Sequence, residues 1–178
     1  PMRALAYLAG GWIATLAVAE PARQAWFDGA PDTSWPVSPW LVRVGHLLVP
    51  GLFMSAWSLL SLAPAMTSLG AAGAWKALGV VAALALVSGW AWAGAALRSG
   101  FRAMPDFAAG LVTSPVGSLP PGLVQMLVEG PDAALVGALA TALVACGIAA
   151  PTTTVLGIQA AAGVVVILWG VRTNRRAS

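Results

Sequence analysis

The feature that most constrains this chain is the length of its stretches without a charged residue. Aspartate, glutamate, lysine and arginine are absent from five stretches of 16 residues or more, at residues 4–19, 44–75, 77–97, 107–128 and 133–171. A membrane-spanning helix needs about 20 consecutive apolar residues, and a charged side chain at its centre costs about 2.5 to 3.5 kcal/mol. Uncharged stretches of this length therefore indicate a chain that crosses a membrane several times.

The composition excludes the main alternatives to a membrane protein. Of the 178 residues, 59% are hydrophobic and only 8% are charged, whereas a soluble domain carries about 25% charged residues. So few charges cannot solvate a globular surface, which excludes a soluble enzyme, a disordered segment and a nucleic-acid-binding domain. We therefore expect no nucleic-acid partner. The single cysteine, Cys146, excludes a disulfide within the chain.

Prolines divide the two longest uncharged stretches into separate helices. Pro64 interrupts the stretch 44–75, and Pro151 lies near the middle of the stretch 133–171. Proline cannot continue the hydrogen-bond ladder of the helix before it, so the second stretch is expected to form a helical hairpin. The expected fold is all-α, a single membrane domain built as a bundle of about five transmembrane helices. Their expected positions are about residues 4–20, 40–63, 76–97, 133–150 and 152–171.

The remaining uncharged stretch, 107–128, is long enough to span a membrane but contains three prolines and three glycines. Backbone groups freed by so many helix breakers would have no hydrogen-bond partner in lipid. We therefore interpret residues 103–131 as an interfacial or re-entrant segment, with a short interfacial helix over 123–129. The sequence does not distinguish a re-entrant segment from one on the membrane surface.

The distribution of basic residues predicts the orientation of the chain. With the N-terminus outside, seven arginines face the cytoplasm and only two basic residues, Arg3 and Lys76, face outward, as the positive-inside rule requires. The seven are Arg23, Arg43, Arg98, Arg102, Arg172, Arg175 and Arg176. Arginine also outnumbers lysine eight to one, which is typical of a GC-rich bacterial genome. The expected location is a bacterial inner membrane, with the C-terminus in the cytoplasm.

No aspartate, glutamate or lysine lies near the midplane of the five expected helices. Proton relays, ion-coupled pumps and membrane hydrolases usually carry such residues, because an intramembrane charge is costly and is kept for use. Asp132 is instead expected to cap the N-terminus of the fourth helix. We therefore expect no catalytic residue, no metal site and no catalytic activity of the chain's own.

His46 is the one titratable residue with a neighbourhood that suggests a site. It precedes Pro50 by four residues, so its carbonyl loses its helical amide partner and the helix is expected to kink there. One interpretation is a cofactor-binding histidine, either an axial ligand of haem or chlorophyll or a hydrogen-bond partner of a quinone. The other, which we favour, is a histidine near the membrane interface at a kink. The sequence does not identify a cofactor.

Small residues at fourfold spacing indicate faces where helices pack closely in lipid. The candidate packing residues are Gly10, Ala14, Gly89, Ala93, Ala138 and Ala142. Polar residues within the expected helices can hydrogen-bond between helices or line a polar pathway. These candidates are Ser55, Ser58, Thr141 and Gln159.

Three functions remain open from the sequence. The first is an accessory or scaffold subunit of a larger membrane complex, respiratory or photosynthetic, with membrane lipids and other subunits or further copies of the chain as partners. The second is a small-solute channel or transporter component lined by the four polar candidates. The third is a membrane enzyme acting on a lipid, with His46, Arg43 or Glu20 as its reactive residues. We favour the first, because the expected helices carry small-residue faces and no intramembrane ionisable group.

Overall fold

The computed structural model of the chain describes residues 2–27, 34, 36–67, 70–101, 112–114, 117–119 and 131–172. Most of these residues are helical, which confirms the all-α class. The helices are α1 (Met2–Val18), α2 (Glu20–Phe27), α3 (Pro39–Gly45), α4 (Leu48–Thr67), α5 (Gly70–Gly100), α6 (Pro131–Ala145) and α7 (Thr153–Arg172). Two short strands, β1 (Val112–Ser114) and β2 (Gly117–Leu119), pair antiparallel between α5 and α6.

Three helical stretches of the described chain are long and apolar enough to cross a membrane. They are Trp40–Met66, Ala77–Gly100 and Thr153–Arg172. The apolar helices α1 and α6 are shorter, with 17 and 15 residues. At 1.5 Å per residue these two are about 25 and 22 Å long, against about 30 Å for the hydrocarbon core of a bilayer. Length and composition therefore support three of the five expected spans directly.

Two helix ends differ from their expected positions. Pro64 does not end α4, which continues to Thr67, because a proline near a helix end removes only one backbone hydrogen bond. The helix α5 begins at Gly70 rather than near residue 76, since the alanine-rich segment before Lys76 is helical rather than a loop. The loop between the two helices is therefore shorter than the sequence indicated.

Two other breaks in the helices follow from local backbone chemistry. The expected kink before Pro50 is a full interruption, because His46 and Leu47 form a turn that separates α3 from α4. The helix α6 ends at Ala145, five residues before its expected end. Gly147, with φ of 76°, adopts the left-handed conformation that commonly terminates helices.

Most of the expected interfacial segment, residues 103–131, lies outside the described residues, including the expected short helix over 123–129. The described part is the hairpin of β1 and β2, in which Ser114 pairs with Gly117. Gly117 has φ of 118°, a conformation that other residues rarely adopt, so it suits the tight connection between the strands. This hairpin was not expected from the sequence.

The long helix α5 lies at the centre of the bundle and contacts α1, α2, α4, α6 and α7. The residues that meet show that α1 and α7 run parallel to α5. The contacting pairs for α1 are Tyr7 with Ser88 and Gly11 with Trp92, and for α7 they are Gly163 with Val87 and Gly170 with Arg98.

The helices α4 and α6 run antiparallel to α5. The contacting pairs for α4 are Gly51 with Trp90 and Ser55 with Leu86, and for α6 they are Asp132 with Arg98 and Gly137 with Ala91. Helix direction therefore alternates along the chain through α1, α4, α5, α6 and α7. As a result, the C-terminal ends of α1, α5 and α7 meet the N-terminal ends of α4 and α6 at one end of the bundle.

We call that end the arginine end, because the described residues place Arg23, Arg43, Arg98 and Arg172 there. The opposite end carries Arg3 and the backbone position of Lys76. Between the ends, the outward faces are apolar, with large side chains such as Leu52, Phe53 and Leu60 exposed. A surface of this kind suits a lipid environment.

Candidate functional site

Five polar side chains from four helices meet in the bundle interior, and we call them the interior polar cluster. They are Tyr7 of α1, Ser58 of α4, Ser88 and Trp92 of α5, and Thr141 of α6, and each is at most 2% exposed. The Tyr7 hydroxyl lies 2.6 Å from Ser88 Oγ and 3.2 Å from Ser58 Oγ. Trp92 Nε1 donates a hydrogen bond of 3.1 Å to the same hydroxyl. One tyrosine oxygen thus joins three helices.

The face that α1 turns inward explains how Tyr7 reaches this position. Tyr7, Gly11 and Thr15 are the buried residues of α1, and their spacing of four places them on one face. Gly11 has no side chain, so the indole of Trp92 packs against the α1 backbone there. The rings of Tyr7 and Trp92 meet edge to face with centroids 6.0 Å apart, a favourable aromatic geometry.

The buried Gln159 side chain links α7 to α6 next to this cluster. Its Oε1 accepts a hydrogen bond of 3.3 Å from the Thr141 backbone N–H, and its Nε2 donates to the carbonyl of Gly137. The Thr141 hydroxyl is fully buried and makes no hydrogen bond to a described residue. Gln159 therefore bonds to two backbone groups of α6, the Thr141 N–H and the Gly137 carbonyl, and not to the Thr141 hydroxyl.

The four polar residues predicted from the sequence occupy separate places. Ser58 and Thr141 belong to the interior polar cluster, and Gln159 lies beside it. Ser55 is elsewhere, since its Oγ donates to the carbonyl of Gly51 at 2.7 Å and lies 3.4 Å from the carbonyl of Leu86. The described contacts bind these groups to neighbouring helices and do not join the four into one path.

Tyr7, Ser88 and Trp92 were not among the site residues expected from the sequence. Ser88 lies at the middle of the uncharged stretch 77–97, so a survey of hydroxyl groups near span centres would have found it. Tyr7 is the only tyrosine of the chain, but its position near the start of α1 resembles that of an interfacial aromatic residue. Its hydroxyl is buried because α1 packs against α4 and α5, and the sequence does not show that packing.

The candidate packing residues lie inside the chain's own bundle. Gly10 is against the Trp57 ring, and Gly89 is so close to Ser55 that an added Cβ would meet the Ser55 backbone. Ala14 packs against the core as a partly buried residue. The other three, Ala93, Ala138 and Ala142, are at most 2% exposed. These six residues therefore account for contacts within the chain and do not by themselves indicate a partner.

At the arginine end, Arg43 and His46 lie around one phenylalanine ring. The Arg43 guanidinium is 5.3 Å from the centroid of Phe101, and the His46 ring meets that ring edge to face at 5.8 Å. Arg43 also donates a hydrogen bond of 2.9 Å to the carbonyl of Val171, in the last turn of α7. A cation at a helix C-terminus stabilises the open carbonyls and the helix dipole, which gives Arg43 a structural role.

Arg98 connects three helices at the same end. Its Nη2 donates a hydrogen bond of 2.9 Å to Asp132 Oδ2, and its guanidinium lies 3.5 Å from the centroid of the Trp169 ring. Asp132 lies in the first turn of α6, where its Oδ1 accepts a hydrogen bond of 2.7 Å from the Ala133 N–H. Asp132 therefore lies inside the first turn of α6 and not at the N-cap position expected from the sequence. Its carboxylate still lies at the positive end of the helix dipole, and it forms an ion pair that the sequence did not indicate.

The residues proposed for lipid chemistry do not assemble into one reactive group. Glu20 pairs with Arg23 of its own helix at 3.0 Å, with the Glu20 side chain about half exposed and that of Arg23 partly exposed. His46 and Arg43 both lie against the Phe101 ring. Within the described residues, no group of three histidine, cysteine, aspartate or glutamate side chains is placed to hold a metal ion.

Comparisons with protein-family models, curated proteins and solved structures found no match to the chain.

Proposed function

We propose that the chain is an integral membrane protein with five spans, formed by α1, α3 with α4, α5, α6 and α7. Three of these meet the length of a transmembrane helix directly. Support for counting α1 and α6 comes from helix direction, because successive crossings must alternate and these helices do so. A bilayer can thin around a short span at modest cost.

In this proposal the arginine end faces the cytoplasm of a bacterial inner membrane. Four of the described arginines lie at that end, against Arg3 and the position of Lys76 at the other. The positive-inside rule then places the N-terminus outside. The C-terminal end of α7, which carries Arg172, is cytoplasmic.

The proposed role is that of an accessory or scaffold subunit without catalytic activity of its own. The observation that carries it is the use of the interior polar groups, because Tyr7, Ser55 and Gln159 bind neighbouring helices to one another. Hydrogen bonds of this kind hold helices together in lipid. Because the interior polar groups bond to neighbouring helices, a partner would bind at the outer surface of the bundle.

The outer face of α7 is open to a partner helix. A Cβ added at Gly157 would have nothing within 4 Å, and Ala161 lies exposed one turn further along. Only 22% of the α7 span is buried, against 67% of the α5 span. Small residues four apart let two helix backbones approach closely. We therefore assign another subunit or a second copy of the chain to this face.

The test is the size of the particle extracted in mild detergent, measured by native mass spectrometry. Gly157→Leu should release the partner and leave the thermal unfolding temperature unchanged, because the added side chain meets nothing within its own chain. The matched control is Gly79→Leu, whose Cβ position on α5 is equally open and which should keep the partner. A wild-type chain that is always monomeric, or a Gly157→Leu particle of wild-type size, would contradict the proposal.

A further inference from the structure

The last turn of α7 carries an exposed arginine next to an exposed tryptophan. Arg172 makes no hydrogen bond or ion pair with a described residue. Trp169 lies three residues earlier, on the same side of the helix, and is 38% exposed. Indole rings are most stable at the level of the lipid headgroups, where they meet both water and apolar chains. In the orientation proposed above, this turn therefore lies among the cytoplasmic headgroups.

Arg98 places a second guanidinium against the same tryptophan, at 3.5 Å from the ring centroid. Asp132 bonds to its Nη2, whereas its Nη1 makes no hydrogen bond to a described residue. Trp169 and Asp132 hold the Arg98 side chain in place, so a ligand would bind without the cost of ordering it. The Arg98 side chain is partly exposed, which leaves Nη1 as a donor for a group outside the chain.

Arg43 removes an obstacle to an anion at this end of α7. The last carbonyls of a helix carry a partial negative charge, which repels anions. Arg43 donates a hydrogen bond of 2.9 Å to one of these carbonyls, that of Val171. Asp132 offsets the charge of Arg98, but no described carboxylate offsets that of Arg172. The last turn of α7 therefore favours a negatively charged ligand.

The surface beside this turn suits the apolar part of such a ligand. Val165 and Leu168 are exposed and lie seven and four residues before Arg172, on its side of the helix. Positive charge above an apolar helix surface is complementary to a lipid with an anionic headgroup, and basic residues at the cytoplasmic ends of membrane helices attract such lipids. We propose that Arg172 and Arg98 Nη1 bind the phosphate of an anionic phospholipid beside Trp169.

This lipid site rests on the membrane insertion and orientation proposed above. It does not compete with the partner assigned to α7, because Gly157 and Ala161 lie in the other half of the helix. The distance along the axis from Ala161 to Trp169 is about 12 Å. A partner helix and a lipid can therefore occupy α7 at the same time.

The test uses the full-length protein in nanodiscs with equal amounts of phosphatidylglycerol and phosphatidylcholine, and native mass spectrometry counts the lipid retained. The wild type should retain one phosphatidylglycerol in preference to phosphatidylcholine. Arg172→Gln should lower this preference about fivefold, the effect of one basic residue near an anionic surface. Arg172→Lys keeps the charge and should keep most of the preference. A wild type without a preference, or an Arg172→Gln protein with the wild-type preference, overturns the proposal.

Arg3→Gln is the matched control, because Arg3 is also exposed but lies at the opposite end of the bundle. It should keep the wild-type preference, and an equal loss would show that overall charge, not this site, attracts the lipid. Excess inorganic phosphate should not displace the lipid, whose chains also bind; displacement would make the ligand a free anion and contradict the lipid site. A chain that fails to enter nanodiscs contradicts the membrane protein itself, whereas insertion without a lipid preference contradicts only this site.

Discussion

At the scale of single residues, glycine sets how closely α4 and α5 approach. A Cβ added at Gly89 would meet the backbone N and Cα of Ser55, which cannot move aside as a flexible side chain can. On the same helix, Gly79 is exposed and a Cβ there would meet nothing within 4 Å. Both glycines lie within α5, but only Gly79 has room for a side chain.

We expect Gly89→Ala to destabilise the protein by about 1–3 kcal/mol, because the added methyl forces α4 and α5 apart. Gly79→Ala should be neutral or stabilising by up to about 1 kcal/mol, since alanine favours the helix. Thermal unfolding of both variants in detergent measures the difference. Equal stability of the two variants would contradict the close contact between Gly89 and the Ser55 backbone.

At the scale of helices, Arg98 links α5 to α6 through Asp132 and to α7 through Trp169. The Arg98 side chain is 13% exposed and that of Asp132 35%. Partial burial reduces the screening of this pair by solvent. The N–O distance of the Arg23 and Glu20 pair is similar, at 3.0 Å. Its side chains, however, are 30% and 51% exposed, and both belong to α2. It joins no separate helices.

A double-mutant cycle should therefore distinguish the two ion pairs. For Arg98→Ala and Asp132→Ala we expect a coupling energy of about 1 kcal/mol, since each single change removes the opposite charge from beside a partly buried one. For Arg23→Ala and Glu20→Ala the coupling should be near zero, as for most exposed pairs. Unfolding in detergent at two salt concentrations measures both cycles. Equal couplings would argue against the role of Arg98 in joining the helices.

At the scale of the whole molecule, the alternating helix directions make the topology testable. In a Cys146→Ser background, Thr153→Cys at the start of α7 and Gln24→Cys in α2 place one exposed thiol at each end of the bundle. An impermeant maleimide applied to intact cells should label Thr153→Cys and not Gln24→Cys. Gln24→Cys should react once the cells are opened. Labelling in the reverse pattern would invert the orientation, and equal labelling would show that the bundle does not span the membrane.

The class of the protein and the places of its helices follow from the sequence because they depend on local properties. A charge is excluded from any segment that must lie in hydrocarbon, so the uncharged stretches indicate where the long apolar helices lie. Pro50 lacks an amide hydrogen, so the break at His46 is a property of that segment alone. The helix ends were predicted less well, because Pro64 is tolerated within α4 and Gly147 ends α6 early.

Only the tertiary structure decided which side chains meet. Tyr7 bonds to Ser58 and Ser88, which are 51 and 81 residues away in the chain, and Arg98 reaches Asp132 across the segment 102–130. In a soluble helix, the pattern of apolar residues marks the buried face. The long helices of this chain are apolar all round, so their sequence does not show which face turns inward. That choice is made by the fit of glycines against indole rings and by hydrogen bonds between helices, and both exist only once the bundle has formed.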